Sequence, residues 1–269
     1  MRKSTYNKLV KIIGDKYEIF SSRSRNFISA GPHRFKEVAF KPQFDFLKNG
    51  LGDSIYFRDD IFSNSRLYYR NGQFFVTRAM DPDLIIQKEM YSVNNLSTLN
   101  LEHCSFEEIM GYFINDTQGG DDLLVHQFSG GLELFSVSSK TLVNWRSSIT
   151  TVAAKAFSDI HKNGVIYTDP TPINMRWDYA DRVIFNPHPF IEFLDKEKNE
   201  DGEINDLSIF LMTNPWISDK KEFLSKYMGH NKEGEMQGNA LLGAVSQRIR
   251  QLENDPDIPA DLYAFWRSR

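Results

Sequence analysis

The sequence predicts an α+β protein with a strand-rich first half and a helix-rich second half. In the first half, short runs of aromatic and β-branched residues alternate with Gly, Asn, Asp and Pro, a pattern typical of strands and turns. In the second half, apolar residues recur at spacings of three and four, which is typical of amphipathic helices. The change near residue 130 predicts two lobes: a β-rich lobe over residues 1–128 and a helical lobe over residues 129–269.

Composition limits the class of protein. The 269 residues are 41% hydrophobic and 25% charged, enough apolar material for a sizeable core. A formal net charge of −4 gives no overall positive field, so we expect no nucleic-acid partner. No apolar stretch reaches the ~18 residues that a transmembrane helix needs. The single cysteine, Cys104, excludes an internal disulfide framework, and we expect it to be a small buried residue. These features predict a cytoplasmic protein.

Six runs in the first half are predicted to be strands, and they lie at residues 16–20, 25–30, 36–41, 53–57, 66–70 and 73–78. The last two are joined by Asn71-Gly72, the strongest short signal for a β-hairpin. A helix is predicted to follow, with Asp81 as its N-cap and Pro82 at its first position. A further strand is predicted over residues 122–128.

The second half is predicted to begin with a long helix from Ser139, whose apolar stripe ends at Asn163-Gly164. The segment from Ser105 is predicted to start another helix, residues 190–194 to form a strand, and residues 196–203 to form a polar loop. Three more helices are predicted, and they lie at residues 205–212, 220–227 and 239–252.

The most informative segment runs from Ile160 to Asp178, where Asp169 is followed five residues later by Asn174. This pattern resembles the catalytic loop of the protein-kinase-like fold, in which a His-Arg-Asp triplet precedes an Asn at the same spacing. Here the triplet is Tyr167-Thr168-Asp169, so His and Arg are both absent. The resemblance implies that Asp169 is the catalytic residue that orients the acceptor hydroxyl and that Asn174 binds Mg²⁺. The alternative is a structural Asp-Pro turn that Asp169 caps.

A second metal ligand is expected where that fold carries its Asp-Phe-Gly segment. The resemblance places Glu192 at the position of the metal-binding Asp, with Asp195 as the rival ligand. A glutamate is a poorer substitute, since Mg²⁺ demands near-ideal octahedral geometry. The alternative is a strand in which Glu192 points to solvent.

The phosphate-binding residues are less well matched. Residues 73–78 resemble the strand that carries the phosphate-binding Lys, with Arg78 or Thr77 at its position, and Glu89 resembles the helix Glu that pairs with it. Lys41 is a second candidate, although Pro42 follows it directly. An Arg can bind phosphate, but its planar fork does not replace a lysine freely.

The segment 124–131 resembles the hinge between the lobes of such proteins. The resemblance implies that the backbone of Gln127 and Phe128 contacts adenine, next to Gly130-Gly131. The alternative is a turn that ends a strand. No Gly-x-Gly-x-x-Gly precedes these strands.

Two later segments resemble lipopolysaccharide core kinases: Asn205-Asp206-Leu207-Ser208 and the basic stretch over residues 220–227. The resemblance implies a bilobal, ATP- and Mg²⁺-dependent phosphotransferase whose acceptor is a hydroxyl of a cell-surface sugar, with peripheral contact at the inner face of the membrane. A protein acceptor is a further alternative. The departures from the family pattern leave open a pseudokinase, a binding or scaffold module without phosphoryl transfer.

Overall fold

The computed structural model describes residues 35–40, 42–48, 50–51, 54–60, 65–80, 96, 99–115, 122–134, 137, 140–172, 174–187, 191–193, 200–229 and 232–255. The chain divides into two compact units. The first unit comprises Met1–Ser97 and Glu107–Gly130, and the second comprises Thr98–Phe106 and Gly131–Arg269. The described residues form a mixed α+β structure, which confirms the predicted class. The predicted strands at 16–20 and 25–30 and the predicted helix after Asp81 lie outside the described residues.

The described strands are β1 (Phe35–Phe40), β2 (Ile55–Asp60), β3 (Ser65–Arg70), β4 (Gln73–Met80), β5 (Cys104–Phe106), β6 (Ile109–Asn115), β7 (Asp122–Gln127), β8 (Leu132–Glu133), β9 (Val165–Ile166), β10 (Met175–Trp177), β11 (Val183–Phe185) and β12 (Glu192–Phe193). The described α-helices are α1 (Arg146–Lys162), α2 (Glu200–Thr213), α3 (Lys220–Met228) and α4 (Lys232–Glu253).

In the first unit, the described strands form an antiparallel sheet in the order β1-β6-β7-β4-β3-β2. The hairpin between β3 and β4 turns at Asn71 and Gly72, which both have positive φ angles, 51° and 79°. Both central residues of a type I′ turn need positive φ, and Asn-Gly supplies it. The predicted hairpin is therefore confirmed.

The largest buried cluster of the first unit lies on one face of this sheet, and a smaller one, with Phe74 and Val76, lies on the other. The aromatic centre of the largest cluster combines Tyr68 and Phe75, whose rings stack at 5.6 Å, with the fully buried Phe113. A short 3₁₀ helix, Pro42–Leu47, adds Phe44 and Leu47 to the same cluster. This packing fixes β4, the strand that carries Thr77 and Arg78.

In the second unit, α1 packs its apolar stripe into a core of aromatic residues. Phe157 of α1 lies 4.9 Å from Phe210 of α2 and 5.9 Å from Phe185 of β11, measured between ring centroids. A 3₁₀ helix, Lys140–Trp145, precedes α1, so the α-helix begins later than the predicted Ser139. The helix stops as predicted, because Gly164 follows it with φ 72°.

Two small sheets complete the second unit. The strands β5, β11, β10 and β8 form one sheet in that order, and β12 pairs with β9. The prediction of a helix start at Ser105 is wrong, because Cys104–Phe106 is a strand parallel to Val183–Phe185. Stacking of Phe106 on Phe185, at 5.3 Å between centroids, is a long-range contact that helix propensity does not report.

Two predicted boundaries also shift. The polar run over 196–203 was expected to be a loop, but its end, from Glu200, forms the first turn of α2. Three acidic residues in that turn favour a helix start, since carboxylates stabilise the positive end of the helix dipole. Of the strand predicted over 190–194, Glu192–Phe193 is strand.

Cys104 is buried, as predicted, with 1% of its surface exposed. Burial raises the pKa of its thiol, and the nearby Asp159 carboxylate raises it further. None of the helices in the described part of the chain is long and apolar enough to cross a membrane.

Gly131 offers a test of the packing beside β10. Its φ is +102°, and a Cβ built there would lie 2.8 Å from the carbonyl oxygen of Trp177. We expect Gly131→Ala to lower the unfolding free energy by about 1–3 kcal/mol more than Gly229→Ala, in urea denaturation monitored by circular dichroism. Gly229 is the matched control, because it lies in the same unit with φ +85° and open space around it. Equal losses would contradict the close approach.

Candidate active site

The loop that contains Asp169 and Asn174 follows β9 and is closed on itself. The amide Nδ2 of Asn174 donates to Oδ2 of Asp169 at 2.6 Å, to the Asp169 carbonyl at 3.3 Å and to Oγ1 of Thr171 at 3.1 Å. The backbone N–H of Asn174 also donates to the Thr171 carbonyl, at 2.9 Å. Asn174 is fully buried, whereas Asp169 is partly exposed. The two predicted site residues therefore meet, within a turn that their own hydrogen bonds stabilise.

Tyr167, which stands where the family triplet has His, holds the inner side of this loop. Its ring is fully buried and packs 4.7 Å from that of Phe185. Its hydroxyl lies 2.6 Å from the carbonyl oxygen of Asn186 and 3.1 Å from that of Asn174. The N–H of Asn186 donates to the same Asn174 carbonyl, at 2.9 Å. The buried Tyr167 phenol thus fixes the end of the loop to the residue that follows strand β11.

The start of the loop is held by a buried carboxylate on α2. Asp206 is fully buried, and it accepts the backbone N–H of Tyr167 at 2.7 Å and that of Thr168 at 2.8 Å. Thr168 has a φ of 67°, which is a strained value for a β-branched residue. Two charge-assisted hydrogen bonds to consecutive N–H groups offset that strain and fix where Asp169 begins.

A chain of buried polar groups extends from Asp206. The imidazole of His161 lies 3.2 Å from Oδ2 of Asp206 through Nε2 and 2.9 Å from the Tyr227 hydroxyl through Nδ1. That hydroxyl donates to Oε2 of Glu203 at 2.9 Å. Burial, followed by the Glu203 carboxylate, raises the pKa of Tyr227, so the phenol keeps its proton.

His161 links Asp206 to the rest of this network. Its two ring nitrogens lie within hydrogen-bond distance of Oδ2 of Asp206 and of the Tyr227 hydroxyl. Asp206 therefore has a buried side-chain partner in addition to the two backbone N–H groups of the loop.

Glu192 is exposed and lies on β12, opposite Ile166 of β9. Its side chain makes no hydrogen bond or ion pair with a described residue, and it lines a cavity together with Thr168. The structure therefore gives it no bond to Asp169 or Asn174, and its rival Asp195 lies outside the described residues. Within the described ranges, no three His, Cys, Asp or Glu side chains are grouped so as to hold a metal ion.

In the first unit, Arg78 lies on β4 between Ser65 of β3 and Leu124 of β7. Thr77 is 3% exposed and Arg78 is only partly buried, in keeping with the alternation of side chains along a strand. Of the two candidates, Arg78 has the more exposed side chain. Glu89 and Lys41 lie outside the described residues.

The predicted hinge segment has its backbone donors bonded within the first unit. The N–H of Gln127 donates to the Glu108 carbonyl at 2.7 Å, and that of Phe128 donates to the Phe74 carbonyl at 2.9 Å. The buried Glu107 accepts from both the N–H and the hydroxyl of Ser129. An adenine ring at this segment would have to use groups other than these N–H donors.

Sequence reasoning missed the residues that support the loop. The sequence resemblance includes Asp206 and Tyr227 only as members of two family-like segments and gives neither of them a supporting role. A usable signal existed for Asp206, because it precedes the apolar run Leu207–Met212 on α2. A carboxylate at the edge of a buried helix face needs donors nearby, and these are most often backbone N–H groups or cations.

Comparison with known proteins adds no relative. No protein-family model matches the sequence, and no curated protein matches it. Interpretation of the loop therefore rests on its own residues and contacts.

Asp206 is expected to be essential to the stability of the second unit. Asp206→Ala would leave the N–H groups of Tyr167 and Thr168 and the imidazole of His161 without the carboxylate that they contact. We expect a loss of about 3–5 kcal/mol of unfolding free energy in urea denaturation. Asp201→Ala, at the exposed start of the same helix, should cost less than about 1 kcal/mol. Similar losses for the two variants would show that the buried network contributes little.

Proposed function

We propose that the chain is an ATP-dependent phosphotransferase with a bilobal protein-kinase-like fold, acting on a hydroxyl group. The observation that supports this proposal is the pairing of Asp169 with Asn174 at 2.6 Å on a loop held at both ends. Tyr167 and Asp206 provide the rigidity that a catalytic loop requires, even though His and Arg are missing from the triplet. The loop is therefore held rigid by other residues, although Tyr167 and Thr168 stand where the family triplet has His and Arg.

In this proposal Asp169 orients the acceptor hydroxyl and takes up its proton, since its carboxylate is partly exposed. Asn174 supplies an amide oxygen to Mg²⁺, and Arg78, paired with Glu89, holds the phosphates of ATP. When bound at these residues, Mg·ATP would supply the phosphoryl group, and its ion would offset negative charge on the phosphates.

We further propose that the acceptor is a cell-surface sugar such as the lipopolysaccharide core, modified at the inner face of the membrane. The two segments that resemble the core-sugar kinases form α2 and α3, and they meet in the network of Asp206, His161 and Tyr227. These segments thus belong to the same support as Asp169. Transfer of phosphate to a protein is the competing outcome of acceptor screening.

Replacement of Asp169 tests the proposal directly. Asp169→Ala removes the carboxylate that orients the hydroxyl, so ATP turnover with Mg²⁺ and a sugar acceptor should fall by about 100-fold or more. Radiolabelled phosphate transfer to core sugars and to proteins measures the reaction. Asp181→Ala, an exposed position in the β10–β11 turn, is the matched control and should retain wild-type turnover. Equal activity in the wild type and Asp169→Ala would remove Asp169 from the mechanism.

The metal assignment has a separate test. We expect Asn174→Ala to raise the Mg²⁺ concentration for half-maximal activity by at least about tenfold, because it removes a proposed ligand. Glu192→Gln should change that concentration by less than about twofold, since Glu192 is exposed and bonded to neither loop residue. A large shift for Glu192→Gln would instead assign Glu192, as the sequence resemblance implies, to the metal.

A pseudokinase is the second candidate, and the burial of Asn174 favours it. Its amide nitrogen contacts three loop oxygens, and the residue has no exposed surface. A scaffold protein requires only that these hydrogen bonds of Asn174 stabilise the loop, and it requires no bound metal. Thermal unfolding with Mg·ATP, compared with the turnover assay, separates the candidates: ATP binding without measurable transfer supports the scaffold, and transfer opposes it.

A further inference from the structure

An open cavity of about 620 Å³ lies within the second unit, on the side of the loop that Thr168 faces. Its wall combines the strands β9 and β12, the first turns of α2 and the second half of α4. Its volume is within the range of about 300–1,000 Å³ that is typical of small-molecule sites. The proposed function gives this cavity no role.

Arg248 of α4 is the positive charge of the cavity. Its Nε and Nη2 donate to Oδ1 of Asn205 at 3.0 and 2.9 Å, and its Nη1 lies 3.5 Å from Oε1 of Gln251. Both partners are neutral amides, and no described carboxylate lies within ion-pair distance of the guanidinium. Hydrogen bonds thus orient the Arg248 side chain, while no described carboxylate neutralises its positive charge. This arrangement is suited to binding an anion.

The other polar groups in the cavity wall can form hydrogen bonds with the hydroxyl groups of a ligand. Glu192 and Asp201 present exposed carboxylates, and Gln247 presents an amide. None of these three side chains makes a hydrogen bond or ion pair with a described residue. Carboxylates accept hydrogen bonds from hydroxyls, and an amide both donates and accepts. Two carboxylates would repel a bare anion that filled the cavity, so the anionic part of a ligand must be confined to the Arg248 end.

We infer that this cavity binds a small anionic sugar, phosphorylated or carboxylated. The acid group binds Arg248, and the sugar hydroxyls bind the carboxylates of Glu192 and Asp201 and the amide of Gln247. The site is separate from the Asp169–Asn174 pair, and the inference does not depend on phosphoryl transfer. Because Thr168 lines the cavity and is bonded through its N–H to Asp206, the ligand lies directly against the braced start of the loop.

Calorimetric titration of the full chain tests the inference. Glucose 6-phosphate and glucuronate distinguish a phosphate from a carboxylate as the acid group. Glucose carries only the sugar hydroxyls, and inorganic phosphate carries only the anion. We expect saturable binding of at least one of the anionic sugars, with glucose and inorganic phosphate at least about tenfold weaker. Arg248→Gln should weaken that binding by at least about tenfold, and Arg248→Lys, which keeps the charge, should weaken it less.

Two further variants keep the test decisive. Arg250→Gln makes the same change two residues away, at an exposed position outside the cavity wall, and should bind like the wild type. Ala244→Leu fills part of the cavity while keeping the Arg248 side chain, and it should also abolish binding. Failure of the wild type to bind either anionic sugar would overturn the inference. So would equal losses in Arg248→Gln and Arg250→Gln, or inorganic phosphate binding as tightly as the sugars.

Discussion

The second unit depends on one buried carboxylate. Asp206 would be costly to bury alone, because a desolvated charge loses its hydration, and it is stable only with partners on every side. Two consecutive backbone N–H groups, those of Tyr167 and Thr168, and the imidazole of His161 provide them. This single group therefore joins α1, α2 and the loop after β9. Its partners come from segments about 40 residues apart in the chain, so folding of the unit and positioning of the loop are one event.

That constraint explains how the loop tolerates an unusual sequence. Thr168 has a positive φ, which costs energy in a β-branched residue, and such strain persists only where surrounding contacts over-determine it. Asp206 holds the N–H of Thr168, and the Tyr167 hydroxyl holds the far end of the loop through Asn186. The Tyr167 phenol thus holds one end of the loop, and the buried Asp206 carboxylate holds the other. The rigidity of the loop is therefore built from residues outside the Asp169–Asn174 pair.

The sequence predicts the features that local rules decide. The Asn71-Gly72 hairpin follows from backbone sterics, the end of α1 follows from Gly164, and the spacing of Asp169 and Asn174 places both on one short turn. Long-range features were not predictable in this way. Strand β5 forms because Phe106 stacks on Phe185, about 80 residues later, and no local propensity reports that contact. The partners of Asp206 were hidden for the same reason, since two of them are backbone N–H groups about 40 residues away that carry no sequence signal.

The two functional candidates differ in what Asn174 does. Its amide nitrogen contacts three oxygens of the loop, while a metal ligand must present its amide oxygen to the ion. These demands are compatible, since an amide has a donor end and an acceptor end, and the brace at the donor end would orient the acceptor. Because Asn174 is fully buried, a metal ion could reach its amide oxygen only from the side opposite Asp169 and Thr171. Since Asp206 anchors the loop, catalysis by this residue requires a path for the ion beside the turn that does not depend on opening of the loop.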